Sequence, residues 1–110
     1  MMKRSLLSAA CLALAFAALP AAAKGDAEKG KALFYTCTGC HGIADYKNAY
    51  PTYRVPKVGG QNEQYLVAAL TSYKKGERKH PTMAAQAGSF SAQEIADIAA
   101  YLSAIKPAKK

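Results

Sequence analysis

The apolar residues of this chain recur at the spacing of a helix surface in three separate stretches. In the first, residues 25–36, Asp26 is a suitable N-cap, and Phe34 shares an apolar face with Gly30. A glycine inside a helix costs about 1 kcal/mol relative to alanine. Gly30 therefore predicts the close approach of another helix, and a glycine that is merely tolerated is the alternative.

The other two stretches carry clearer start and stop signals. Residues 62–75 begin at Asn62, a suitable N-cap, and end before Gly76. The last stretch opens with a capping box, Ser91-x-x-Glu94, and its apolar face is formed by Ile95, Ile98, Ala99, Leu102 and Ile105. Residues 42–61 and 77–90 hold four of the eight glycines and three of the five prolines, and they predict loops. No strand pattern and no repeat is present, so the predicted fold class is all-α.

The first 23 residues have a different character. Lys3 and Arg4 precede an apolar run over residues 6–19, and three alanines end at Ala23. This order predicts a secretory signal peptide cleaved after Ala23, followed by one domain over residues 24–110. The alternative is an uncleaved membrane anchor, but the apolar run is shorter than the roughly 20 residues that span a bilayer.

Removing that segment changes the inventory of the chain. Without Lys3 and Arg4 the formal net charge falls from +8 to +6. A basic surface suits acidic protein partners or an anionic membrane surface. Nucleic acid is not expected as a partner, because an exported protein rarely meets it. The candidate ligands that remain for a soft metal centre are Cys37, Cys40, His41, His80 and Met83.

Three of these residues form one motif, Cys37-Thr38-Gly39-Cys40-His41, which is the attachment pattern of a c-type haem. On one helical turn, two cysteines can bond the two vinyl groups of a haem while the next residue directs its imidazole at the iron. A thiol–disulfide protein is a second interpretation, but it usually carries a βαβ pattern. A zinc site is a third, but it leaves the fourth ligand unexplained.

The order of parts from Gly25 to Ile105 resembles the class I c-type cytochromes, in particular the small monohaem periplasmic cytochromes of bacteria. The resemblance is carried by the haem motif after a first helix, by the Pro-x-Val-x-Gly segment at Pro56, and by a terminal helix with Tyr101. It implies an orthogonal bundle of three main helices around one covalently bound haem c. It also implies that Cys37 and Cys40 form the thioethers and that His41 is the proximal axial ligand.

The resemblance further implies that the carbonyl of Pro56 accepts a hydrogen bond from His41, and that Met83 is the distal axial ligand. Met83 is the one methionine after residue 23, and it follows a predicted helix that can return it to the haem. His80 is the rival for the sixth position, because it is close enough in sequence to reach the same pocket. A vacant or lysine-ligated site is the remaining alternative.

A stretch from residue 43 to residue 55 departs from the family pattern because it is rich in tyrosine. Tyr50 and Tyr53 either offer their hydroxyls to the haem propionates or pack a long loop against the core. Arg54 is expected to pair with a propionate, because guanidinium and carboxylate groups bond well.

A haem with histidine and methionine ligands has no vacant site for a substrate, and the methionine raises its reduction potential. The sequence therefore predicts a periplasmic protein that carries single electrons between respiratory or dehydrogenase partners, and not an enzyme. These partners are expected to present acidic surfaces, and one of them to be a membrane-bound oxidoreductase. The alternatives are a haem enzyme or sensor with an open or His80-ligated sixth site, and a haem subunit of a dehydrogenase or oxidase.

Overall fold

The protein was analysed as a computed structural model, in which residues 24–42 and 55–106 are described. These residues form five α-helices and contain no strand, which confirms the predicted all-α class. The helices are α1 (Ala27–Leu33), α2 (Thr38–His41), α3 (Glu63–Lys75), α4 (Pro81–Gly88) and α5 (Ala92–Ala104). The predicted signal peptide, residues 1–23, lies outside the described residues. Among residues 24–42 and 55–106, no helix is both long and apolar enough to cross a membrane.

Helices α1 and α5 pack with their backbones almost in contact. A Cβ atom added to Gly30 would lie 1.9 Å from the carbonyl oxygen of Asp97, and one added to Gly25 would lie 2.1 Å from that of Ala96. The close approach predicted from Gly30 is therefore confirmed. One turn beyond Gly30, the ring of Phe34 packs against Tyr101 at a centroid distance of 5.8 Å.

A buried carboxylate joins the same two helices. Asp97 is only 3 % exposed, and its Oδ1 accepts the backbone N–H of Asp26 at 2.8 Å and the side-chain amide of Gln93 at 2.9 Å. The bond from Asp26, with a smaller contribution from Gln93, lowers the pKa of the Asp97 carboxyl below its ordinary value. The start of α1 is thus fixed to α5 by a hydrogen-bonded charge.

The first predicted helix is too long at its C-terminal end, whereas the second is confirmed at both ends. Helix α1 ends at Leu33, earlier than the predicted residue 36, and a 3-10 turn over Phe34–Thr36 leads into the haem motif. Helix α3 starts as predicted, since the side chain of Asn62 accepts the N–H of Tyr65 at 3.0 Å. It also ends as predicted, at Gly76, which adopts the left-handed conformation with φ 77°.

The loop predicted over residues 77–90 is wrong for most of its length, because Pro81–Gly88 form helix α4. Helix α4 was not predicted because eight residues show little helical periodicity. In addition, its N-cap, His80, is not one of the usual capping residues. Beyond α4, the carbonyl of Phe90 accepts a hydrogen bond from the ammonium group of Lys74 at the end of α3.

Helix α5 begins with the predicted capping box: Ser91 Oγ accepts the N–H of Glu94 at 3.1 Å, and Glu94 Oε2 accepts that of Ser91 at 2.8 Å. Its apolar face occupies the centre of the fold, where it meets residues from α3 and from the turn after α1. The buried cluster consists of Phe34, Leu66, Phe90, Ile95, Ile98, Ala99 and Leu102.

Candidate functional site

The haem motif lies on the one-turn helix α2. Both Cys40 and His41 donate their backbone N–H to the carbonyl of Cys37, at 3.2 Å and 3.0 Å. The hydroxyl of Thr38 donates to the carbonyl of Tyr35 at 2.8 Å, which joins the turn to the preceding 3-10 segment. The motif is thus held in the helical turn that its spacing predicts.

The imidazole of His41 is oriented by the backbone of Pro56. Its Nδ1 lies 2.7 Å from the carbonyl oxygen of Pro56. Because a carbonyl oxygen can only accept, Nδ1 carries the proton, and the lone pair of the neutral ring is on Nε2. The segment that holds Pro56 is itself fixed, since the N–H of Gly60 donates to the carbonyl of Leu102 on α5 at 2.8 Å. His41 is therefore prepared to bind a metal ion through Nε2.

A cavity of about 260 Å³ lies between α2, α3, α4 and the core face of α5. Cys37, Cys40 and His41 line it together with Met83, and His80 and Pro56 also reach it. Its apolar wall suits the faces of a large flat cofactor, while the thiols, the imidazole and the thioether are donors that suit covalent attachment and iron. The residues present therefore fit a haem. The apolar lining includes Phe34, Val58, Leu66, Leu70, Phe90, Ile98 and Leu102.

The two histidines of the cavity have opposite hydrogen-bonding roles. Nδ1 of His80 accepts the backbone N–H of Met83 at 3.2 Å, so that His80 caps the start of α4. A neutral imidazole has one nitrogen lone pair. In His80 that lone pair accepts a backbone N–H, whereas in His41 no residue of the described ranges, 24–42 and 55–106, uses it.

The environment of Cys37 disfavours the thiolate form of its side chain. Burial raises the pKa of Cys37 above its ordinary value, with an opposing contribution from the Thr36 hydroxyl. Reactive cysteines of disulfide oxidoreductases have a lowered pKa instead. This contrast weighs against the thiol–disulfide interpretation of the motif.

Three further residues of the cavity wall were not among the predicted site residues. The guanidinium of Arg78 lies over the ring of Tyr73, 4.8 Å from its centroid, and donates to the hydroxyl of Tyr65 at 3.3 Å. All three line the cavity. The signal for two of them was present in the sequence, since Tyr65 and Tyr73 lie two helical turns apart beside the apolar face of α3.

Tyr50, Tyr53 and Arg54 lie outside the described residues. Their contribution to the haem environment stays a prediction.

Comparison with known proteins bears on the same region. The family model described as "Cytochrome c" matches residues 27–106, which include all five described helices. The chain belongs to the cytochrome c family. This confirms both the resemblance seen in the sequence and the predicted cofactor, because proteins of this family carry covalently attached haem c.

Two bacterial relatives are each 39% identical to this chain over the aligned residues. Cytochrome c4 of Pseudomonas aeruginosa is 39% identical over 84 residues, which cover 76% of this chain and 40% of that protein. Cytochrome c-554(548) of Halomonas halodenitrificans is 39% identical over 82 residues, which cover 72% of this chain and 95% of that protein.

A solved structure of Acidithiobacillus ferrooxidans cytochrome c4 matches the fold with a TM-score of 0.63 and 31% sequence identity. The match covers 74% of this chain and 51% of that chain. This chain thus spans about half the length, or less, of the cytochromes c4 that it matches.

Proposed function

We propose that this protein carries single electrons between redox proteins on one covalently attached haem c. The observation that carries the proposal is the shared cavity, which His41 enters from α2 and Met83 from α4, with an apolar wall between them. When bound, the haem iron supplies a one-electron couple between its ferric and ferrous states.

In this proposal Cys37 and Cys40 anchor the cofactor. Each thiol would add its S–H across a vinyl group of the haem, which gives a thioether without a leaving group. The proximity of both cysteines on one helical turn fixes the side of the cavity from which His41 reaches the iron.

His41 and Met83 would be the axial ligands. Support for His41 comes from the hydrogen bond to Pro56, which leaves Nε2 free. Support for Met83 over His80 comes from the cap on α4, in which His80 uses its lone pair on a backbone N–H. If the protein fills both axial positions in this way, no site would be left for a substrate, so we infer a carrier and not an enzyme.

The ligand assignment is tested by the absorption spectrum of the ferric protein. We expect a low-spin spectrum with the charge-transfer band of a thioether bound to ferric iron. Met83→Ala should abolish that band and lower the reduction potential, because the thioether favours ferrous iron. Gln86→Ala is a matched control, since Gln86 lines the same cavity from α4 but offers no thioether. An unchanged spectrum in the Met83 variant would refute the assignment.

We also propose that partners dock through a basic surface at the mouth of the cavity. Residues 55–83 contain five basic side chains and only two acidic ones. Lys57 and Arg78 line the cavity itself, and both are exposed. Such a surface attracts acidic partners and loses its effect as salt screens it, with a Debye length of about 10 Å at 0.1 M.

Small redox reagents of opposite charge test this surface. Oxidation of the ferrous protein by the anion hexacyanoferrate(III) should slow as ionic strength rises, whereas oxidation by a cationic cobalt complex should accelerate. Lys57→Glu should reduce the first rate at low salt more than Lys31→Glu, because Lys31 does not line the cavity. Equal salt responses for the two reagents would contradict a basic docking surface.

Export completes the proposal: residues 1–23 would direct the chain to the periplasm and be removed after Ala23. Mass spectrometry of periplasmic protein should find a chain that begins at Lys24 and carries the mass of one haem. Material retained in the membrane with an intact N-terminus would favour the anchor instead.

A role as a subunit is the second candidate. The cytochrome subunit of sulfide dehydrogenase of Chlorobaculum tepidum is 31% identical over 85 residues, which cover 74% of that protein. If this chain is such a subunit, purification from its native host should recover a stoichiometric dehydrogenase, whereas a free carrier should elute alone.

A further inference from the structure

The cap of α4 acts on Met83 directly. His80 is the N-cap residue and Met83 is the third residue of the helix, so the hydrogen bond from the Met83 N–H to His80 Nδ1 fixes the backbone of Met83 itself. Pro81, at the first position of the helix, has no N–H to contribute. The next turn is closed by the N–H of Ala84, which donates to the carbonyl of His80 at 2.8 Å.

The imidazole also joins this cap to a neighbouring helix. Its ring meets the ring of Tyr73, on α3, edge to face, with a centroid distance of 6.2 Å and an angle of 79°. The other contacts of Tyr73 include the guanidinium of Arg78, which bonds Tyr65. The common capping residues have no ring that could make such a contact, so a histidine serves this position in a way that they do not.

Capping and iron binding exclude each other for His80. When Nδ1 accepts the Met83 N–H, the proton of the neutral ring is on Nε2, and no lone pair remains for a metal ion. In this arrangement His80 stabilises the helix start from which Met83 reaches the cavity, and it does not compete with Met83.

We propose that His80 is a positioning residue that holds Met83 in the cavity through its hydrogen bond to the Met83 N–H. The inference rests on the proposed role of Met83 as the distal ligand. It assigns His80 a second effect beyond stability: it restrains the local opening of α4 that would let another ligand replace Met83.

Titration of the ferric holoprotein with imidazole measures that opening, because imidazole binds only when Met83 is displaced. We expect His80→Ala to raise the apparent affinity for imidazole about five-fold, the factor that corresponds to the loss of a typical helix cap. The thioether charge-transfer band should weaken at a correspondingly lower imidazole concentration. His80→Asn should fall between His80→Ala and the wild type, because asparagine restores the cap but not the ring contact with Tyr73.

Ser91→Ala is the matched control, since it removes the cap of α5 instead. It should lower the midpoint of guanidinium unfolding and leave the imidazole affinity unchanged. An unchanged affinity in His80→Ala, or equal effects of His80→Ala and His80→Asn, would overturn the positioning role. If Met83→Ala keeps the charge-transfer band, the distal assignment itself fails. If the wild type instead lacks that band and both His80 variants become high-spin, then His80 is the ligand.

Discussion

Helix propensity and tertiary packing predict opposite effects of Gly30→Ala on stability. On helix propensity alone the substitution should stabilise α1, by about 1 kcal/mol. In the fold, however, the new Cβ would lie 1.9 Å from the carbonyl oxygen of Asp97 and 2.4 Å from its carbonyl carbon. Real Cβ atoms essentially never approach other heavy atoms within 3.0 Å, so α1 and α5 must move apart by about 1 Å.

The cost of that movement exceeds the gain in propensity. Overpacking typically costs about 1–3 kcal/mol, and the upper end applies because the atoms in conflict are backbone, which no rotamer change can move. Separation also loosens the contact between Phe34 and Tyr101. After subtraction of the propensity gain we expect a net loss of about 2 kcal/mol. For a domain of this size, that lowers the Tm by about 10 °C.

Guanidinium unfolding of the holoprotein, followed by far-ultraviolet circular dichroism, gives the midpoint and the m-value. Gly88→Ala is the matched control, because Gly88 lies in helix α4 with open space around its Cβ position. It should change stability by less than about 1 kcal/mol, in the stabilising direction if at all. A Gly30→Ala variant whose midpoint is unchanged or higher at the same m-value would refute the close approach of α1 and α5.

Two further predictions concern the end of α3 and the contact between α1 and α5. Gly76→Ala should cost about 1 kcal/mol at neutral pH, because φ of 77° strains an alanine although no atom obstructs its Cβ; an equal unfolding midpoint would contradict this. Asp97 has a lowered pKa in the folded state, so its carboxylate stabilises the fold above the ordinary pKa of about 4, and this contribution is lost as the pH falls through the lowered value. Asp97→Asn should therefore show a smaller loss of stability between pH 5 and pH 2 than the wild type in acid unfolding followed by circular dichroism, and parallel curves would show that Asp97 is not responsible.

Much of the fold follows from sequence signals that act within a few residues. The capping box at Ser91, the cap at Asn62 and the stop at Gly76 could all be predicted, because each satisfies backbone groups of its own helix. Helix α4 could not, because its cap is a histidine whose ring also packs against Tyr73 of α3. The first helix was predicted to be too long because nothing in residues 33–36 marks the change from α-helix to 3-10 turn.

The candidate site divides along the same line. The sequence by itself determined the cofactor, because the spacing of Cys37, Cys40 and His41 is typical of haem attachment. For the distal side it left both Met83 and His80 as candidates. Only the tertiary structure decided which ring nitrogen carries the proton in each histidine. The hydrogen-bond partners of His41 and His80 are backbone groups, which folding must bring to them. The carbonyl of Pro56 places the lone pair of the neutral His41 ring on Nε2, whereas the N–H of Met83 occupies the lone pair of His80. In the sequence both histidines are possible metal ligands, and only their hydrogen bonds in the fold distinguish them.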